Sequence, residues 1–266
     1  MLKVLVIGLG SIGMEVLRHL DADPTIRVTS SLLRPARLAS KRLRQMPLGI
    51  QVAYNADEIE ELPDFALECA GPDAIGEHVI PLLRRGVSVG ICSVGAFIED
   101  GLARDVRRAA AAGKAQAHLL AGAVGGIDAL SAARLLGLDS VTLTSRKPPM
   151  GWLGTLAEQV CDLNALIEPV VLFHGSARQA ARLFPRNANS AATVALAGVG
   201  LEKTEVTLVA DPSVSSNTHE IDARGAFGEM RFVTSNKPLT ENPKTSALAA
   251  LSAIRAIRNQ VAAVVV

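Results

Sequence analysis

The chain has 266 residues, enough for one large domain or two modest ones with a real core. Its 27 Lys and Arg against 26 Asp and Glu leave a formal charge of +1, without the basic excess that a nucleic-acid partner demands. Hydrophobic residues reach 49% but aromatics only 3%, so the interior is built from Ala, Val, Leu and Ile, and no run approaches the roughly 18 to 20 apolar residues of a membrane span.

In chain order, Val4 to Ile7 is a continuous apolar run, as in a strand buried on both faces of a parallel sheet. Gly8-Leu9-Gly10-Ser11-Ile12-Gly13 follows, then helical spacing from Met14 to Leu20. Ile26 to Leu33 reads as a second strand and Arg34 to Met46 as a basic, helical stretch. Phe65 to Ala70, Val87 to Cys92 and Ala115 to Leu120 read as strands, with helices over Ala74 to Arg85 and Gly101 to Ala112 between them. Alternation of this kind calls for a doubly wound α/β sheet over residues 1–121.

After Gly122 the rhythm changes. A helix over Ile127 to Leu136 is followed by strands at Ser140 to Arg146, Val170 to Phe173, Glu205 to Ala210, His219 to Arg224 and Glu229 to Thr234. Helices at Ala177 to Phe184 and Ala191 to Val199 interrupt them, which suggests an α+β domain over 122–239. A segment over 240–266 closes the chain, and Asn242 as cap with Pro243 at the first helical position predicts a helix start there. Cys69, Cys92 and Cys161 are odd in number and form no C-x-x-C pair, so no metal site or disulfide framework is indicated, and buried thiols in a reducing cytoplasm are the expectation. The N-terminal apolar stretch meets glycine too soon to be a signal sequence.

Gly8, Gly10 and Gly13 match G-x-G-x-x-G in the context that gives the motif meaning, after a strand and opening a helix. The spacing predicts a dinucleotide pyrophosphate against the free N–H groups of Ser11, Ile12 and Gly13 at the positive end of that helix. An acid at the end of the second strand would select NAD by holding the ribose 2′-hydroxyl. Here the stretch is Leu32-Leu33-Arg34-Pro35-Ala36-Arg37, with no acid and two arginines. Arg34 or Arg37 is a candidate for a 2′-phosphate, a solvated basic helix start is the alternative, and NAD or NADP is the cofactor expected. Loops Glu68 to Pro72, which holds Ala70, and Ser93 to Ala96 lie at carboxyl ends of parallel strands, where open α/β sheets bind ligands.

Six further segments carry a resemblance: Gly122 to Leu130, Arg146 to Pro149, Gly175 to Arg178, Leu183 to Asn189, Asn217 to Ile221 and Asn242 to Ser246. In this order, and spanning Leu5 to about Arg258, they resemble the L-aspartate dehydrogenase family. The resemblance implies oxidation of L-aspartate to iminoaspartate with NAD or NADP, feeding NAD biosynthesis or releasing oxaloacetate and ammonia. It also implies a Rossmann domain, an α+β catalytic domain, a last helix returning to the first domain, and a homodimer. It assigns His219 as the active-site histidine, and Ala123 and Asn189 to the nicotinamide end of the cofactor.

Histidine suits the proton step because its ordinary pKa lies near operating pH. His219 starts a strand beside polar Asn217 and Thr218; the other histidines, at 19, 78, 118 and 174, read as surface, packing or strand-end residues. Two substrate carboxylates need donors, and Arg146, Lys147, Lys244, Thr245 and Ser246 are candidates, with Asn217 beside the histidine. Lys244 to Ser246 are expected in the first turn of the last helix, where free N–H groups and the dipole favour anions, with plain helix capping as the alternative. Trp152 reads as a lid or as a loop anchor. Two other functions fit the same pattern: an oxidoreductase like homoserine dehydrogenase or dihydrodipicolinate reductase, and a noncatalytic NAD(H)-binding redox sensor.

Overall fold

The structure is a computed structural model and describes residues 1–34, 43–240 and 242–266; of the side chains within these ranges, those of Arg186, Pro243 and Lys244 are not described. Arg37 therefore lies outside the described residues, as does most of the expected basic helix. The chain forms two compact units, Met1–Leu120 with Ala249–Val266, and Ala121–Leu248.

The first unit holds a six-stranded parallel sheet in the order β3-β2-β1-β4-β5-β6. The strands are β1 (Leu2–Ile7), β2 (Ile26–Leu32), β3 (Gln51–Ala53), β4 (Phe65–Glu68), β5 (Ser88–Ile91) and β6 (Ala117–Leu119). Val4 to Ile7 are fully buried because this central strand is covered on both faces. Helix α1 (Ser11–Leu20) buries Gly13, Val16, Leu17 and Leu20, the i, i+3, i+4, i+7 stripe its sequence shows. Helices α2 (Ile80–Arg84) and α3 (Asp100–Gly113) complete the alternation, and the strand order reverses between β1 and β4, the Rossmann arrangement.

The helix expected over Ala74 to Arg85 opens instead with a π-turn, Ile75–Val79. Pro81 explains it. Proline has no N–H to donate to the carbonyl four residues back, and its ring crowds that carbonyl. The backbone widens, the Ile80 N–H bonds to Ile75 O, and regular helix resumes at Ile80.

The second unit holds a mixed five-stranded sheet in the order β11-β10-β7-β9-β8. Its strands are β7 (Leu138–Lys147), β8 (Val170–Ser176), β9 (Glu205–Ala210), β10 (Asn217–Gly225) and β11 (Gly228–Asn236). Only β7 and β9 run parallel. Helices α4 (Ile127–Ala133), α5 (Ala177–Leu183) and α6 (Ala188–Ala197) pack with it, and α5 starts with a capping box between Ser176 and Gln179.

The expected helix start at Asn242 is not found. Asn242–Ser246 is a short strand, β13, paired with β12 (Pro238–Leu239), and α7 (Ala247–Arg258) begins only after Ser246, whose Oγ accepts from Leu248 N at 3.2 Å. Asn242 is instead held by its own strand: its side-chain amide donates to Thr245 Oγ1 at 2.9 Å. Lys244, Thr245 and Ser246 thus precede the helix, and the dipole argument for an anion at its first turn falls away. In the first unit, Ala253, Ile254 and Ile257 of α7 join a core with Val4, Val6, Leu17 and Phe65, so the last helix returns to the Rossmann sheet.

Candidate functional site

The glycine-rich turn is shaped by the protein at two of its three glycines and left open at the third. Gly8 has φ +95°, and a Cβ there would stand 2.7 Å from Ala70 Cα. A Cβ on Gly13 would stand 2.2 Å from Gly8 O, so α1 packs onto β1 only with glycine at that position. Gly10 is different. Its φ of −72° suits any residue, and a Cβ would meet nothing nearer than Cys69 O at 3.8 Å. The fold does not require this glycine; a dinucleotide backbone approaching the helix does. Gly10 is also the cap of α1 and supplies no side-chain bond to it, which suits a ligand anion at the start of the helix. The residues therefore fit a dinucleotide.

Glu68, at the end of β4, is fully buried and ties two loops together. Its carboxylate accepts from Ala70 N at 2.9 Å, Gly71 N at 2.8 Å, Ser93 Oγ at 2.8 Å and Ser93 N at 3.0 Å. Burial pushes its pKa up, while the bonds from Gly71, Ser93 and Ala70 oppose that shift. Ala70 is set in place by this clamp. The neighbouring Cys69 thiol donates to Gly8 O at 3.1 Å, and burial raises the pKa of both Cys69 and Cys92, which disfavours the thiolate at each.

A cleft within the first unit opens beside this turn, lined by Gly8, Gly10, Leu33, Arg34, Ala70 and His78 among others. Arg34 Nη2 lies 2.8 Å from Asp73 Oδ2. His78, read from sequence as a helix surface or packing residue, is buried in the cleft wall, and its Nδ1 has no hydrogen-bond partner among the described residues. Desolvation lowers its pKa.

In the second unit the strand register isolates a polar pair. Along β7 and β10 the inward-facing cross-strand pairs are Val141 with Ala223, Leu143 with Ile221, and Ser145 with His219. The first two are apolar core; the third puts a hydroxyl and an imidazole where the column calls for hydrocarbon. Such a pair is costly to bury unless its members bond. Ser145 Oγ and His219 Nδ1 are 2.9 Å apart. His219 is 6% exposed, and its pKa is pushed down to about 4, first by burial and then by the charge of Lys147. Two residues beyond Ser145, Lys147 stands on the same face. Its ammonium donates to Asn187 Oδ1 and lies 4.9 Å from the centre of the Trp152 ring. Arg146 faces the other way and pairs with Asp211 at 3.5 Å. Trp152 is an anchor: it is buried and donates to Val209 O at 3.1 Å.

One residue that sequence reasoning missed joins several that it named. Asn236, at the end of β11 and opposite Asn217, donates to Ala123 O at 2.9 Å and accepts from Ser246 Oγ at 3.0 Å. Ala123 and Ser246 are thereby linked through one amide, with Asn217 as its cross-strand neighbour, two residues along β11 from Thr234, the partner of His219. Asn189 is exposed in the first turn of α6. The Lys244 side chain lies outside those described. In the sequence Ser145 and Asn236 read as ordinary polar residues and Asn187 only as part of the Leu183 to Asn189 segment; the interrupted apolar alternation along β7 is the one signal that marks Ser145. Among the described residues, no group of three or more His, Cys, Asp or Glu is placed to hold a metal ion, and no helix is long and apolar enough to cross a membrane.

Comparison with known proteins agrees with this geometry. Residues 8–120 match the family model described as homoserine dehydrogenase, NAD binding domain, and residues 128–260 match aspartate dehydrogenase, C-terminal. The chain is 46% identical to an L-aspartate dehydrogenase of Polaromonas over 100% of both chains, and 46% identical to one of Pseudomonas aeruginosa over 99% of both. Its fold is similar to the crystal structure of aspartate dehydrogenase from Thermotoga maritima, with a TM-score of 0.78, 28% identity, and 100% and 99% of the two chains covered. A hyperthermophilic archaeal homoserine dehydrogenase, at 11% identity and TM-score 0.59 over 98% of this chain and 97% of its own, shares the fold alone. With whole-length identity to these enzymes, the chain belongs to the L-aspartate dehydrogenase family.

Proposed function

We propose that this enzyme oxidises L-aspartate to iminoaspartate with NAD or NADP, and that His219 handles the proton. The buried Ser145–His219 pair, on one sheet face with Lys147, is the observation that carries the reading. The bound cofactor supplies the hydride acceptor at nicotinamide C4. Gly8, Gly10, Ser11, Ile12 and Gly13 hold the pyrophosphate, Ala70 borders it, and Ala123 and Asn189 serve the nicotinamide end.

With its pKa near 4, His219 is neutral at working pH and has a lone pair to use. The base role needs the tautomer in which Nδ1–H donates to Ser145 Oγ, leaving Nε2 to take a proton from the substrate ammonium. A neutral amine can then release the Cα hydrogen as hydride. Of the cations named from sequence, Lys147 shares the face of His219 and suits a substrate carboxylate, whereas Arg146 is bound to Asp211. Asn217 and Ser246 support that pocket beside Asn236, and Lys244 and Thr245 stay among the substrate-binding residues as donors for the two carboxylates. A homodimer in the cytoplasm completes the proposal.

Absorbance of the reduced nicotinamide tests it. L-Aspartate should support reduction of NAD or NADP, with homoserine inert. His219→Ala should cut turnover by about 10² to 10⁴ with cofactor affinity little changed. Turnover with homoserine alone would reassign the substrate, and wild-type kcat in the variant would remove His219 from the chemistry.

A further inference from the structure

The second strand lacks the carboxylate that reads an unphosphorylated ribose, yet a carboxylate reaches the same place from elsewhere. Asp73, in the turn between β4 and the π-turn, meets Arg34 at 2.8 Å on the rim of the cleft beside the glycine-rich turn. Among the described residues lining that cleft, Arg34 is the one Lys, Arg, Asp or Glu, and desolvation lowers the pKa of His78. Both members of the ion pair are well exposed, at 51% and 73% for the side chains. A pair this wet is weak, because water screens its charges and competes for both partners. Either partner is therefore free to exchange the other for a ligand group.

We propose that Arg34 and Asp73 together form an exchangeable reader of the ribose 2′ position, Arg34 taking a 2′-phosphate and Asp73 accepting from a 2′-hydroxyl. The reading rests on dinucleotide binding in this cleft, and it names Asp73 as the acid that the second strand does not supply. A 2′-phosphate displaces the Asp73 carboxylate from the guanidinium, whose planar fork suits phosphate, and Asp73 turns to solvent. A 2′-hydroxyl cannot compete for Arg34. It donates instead to the Asp73 carboxylate, whose oxygens have lone pairs left beyond the one facing Arg34. One exposed ion pair thus serves both cofactors, and its two halves have opposite effects on their ratio.

Calorimetric titration of the full chain with ADP and with adenosine 2′,5′-bisphosphate, at constant ionic strength and without turnover, tests the idea. Arg34→Gln should weaken the bisphosphate by about tenfold or more, the scale of a lost charged hydrogen bond, and leave ADP within about twofold. Asp73→Asn should weaken ADP and leave the bisphosphate equal or tighter. Parallel shifts of both ligands in either variant, or no shift in both variants, overturn the proposal. If the wild-type chain binds neither nucleotide, dinucleotide binding in this cleft falls with it. If it binds both and the variants do not discriminate, only the reader is lost.

Discussion

His219 occupies a position that the sheet treats as core. Its column partners are Leu143 with Ile221 and Val141 with Ala223, and it is tolerated there by the bond to Ser145. The same burial gives it a pH signature. Its folded-state pKa, about 4, lies below the ordinary 6.5, so between those values the unfolded chain binds more protons than the folded one. The contribution is fully present above about pH 6.5 and is lost as pH falls through the window toward 4, amounting to about 3 kcal/mol at roughly 1.4 kcal/mol per pH unit. Burial also lowers the pKa of His78 and His118, so the wild-type slope is shared, and comparison with a variant isolates the part due to His219. Urea unfolding of His219→Gln across pH 4 to 7 should show a shallower acid-side loss than the wild type. An identical slope would mean that His219 is not buried in its neutral form.

At the level of elements, local chemistry was legible where one signal acted alone. The first strand, the glycine turn and α1 follow directly from an apolar run, a spacing and a stripe. The start of α7 was misread because Asn242-Pro243 satisfies the rule for a helix cap, whereas Asn242 spends its amide on Thr245 and pairs within a two-strand ladder. Ser246 is the functioning cap, and its hydroxyl also donates to Asn236. Ser246→Ala should cost about 1 to 2 kcal/mol in thermal or urea unfolding, the usual scale for a lost cap with a second bond removed. Asn242→Ala should cost less. Equal effects, or a larger one at Asn242, would restore the earlier start. The site is harder to read than the fold for a physical reason. His219 meets Ser145 across 74 residues, and Arg34 meets Asp73 across 39, so no period or motif connects them.

For the whole molecule, the chain combines a sheet that holds a dinucleotide with a second sheet that carries a neutral, anchored imidazole and a cation on one face. Each unit was foreseen in class from the switch between alternating and clustered strands. The chemistry assigned to them needs a hydrogen that leaves the substrate Cα directly for the cofactor, with the proton handled apart from it. L-Aspartate deuterated at Cα, incubated with the enzyme and oxidised cofactor, follows that hydrogen by mass spectrometry or NMR of the reduced product. The label should appear at nicotinamide C4 in step with iminoaspartate formation. Reduced cofactor without the label, or label washed into water, would contradict direct hydride transfer from aspartate.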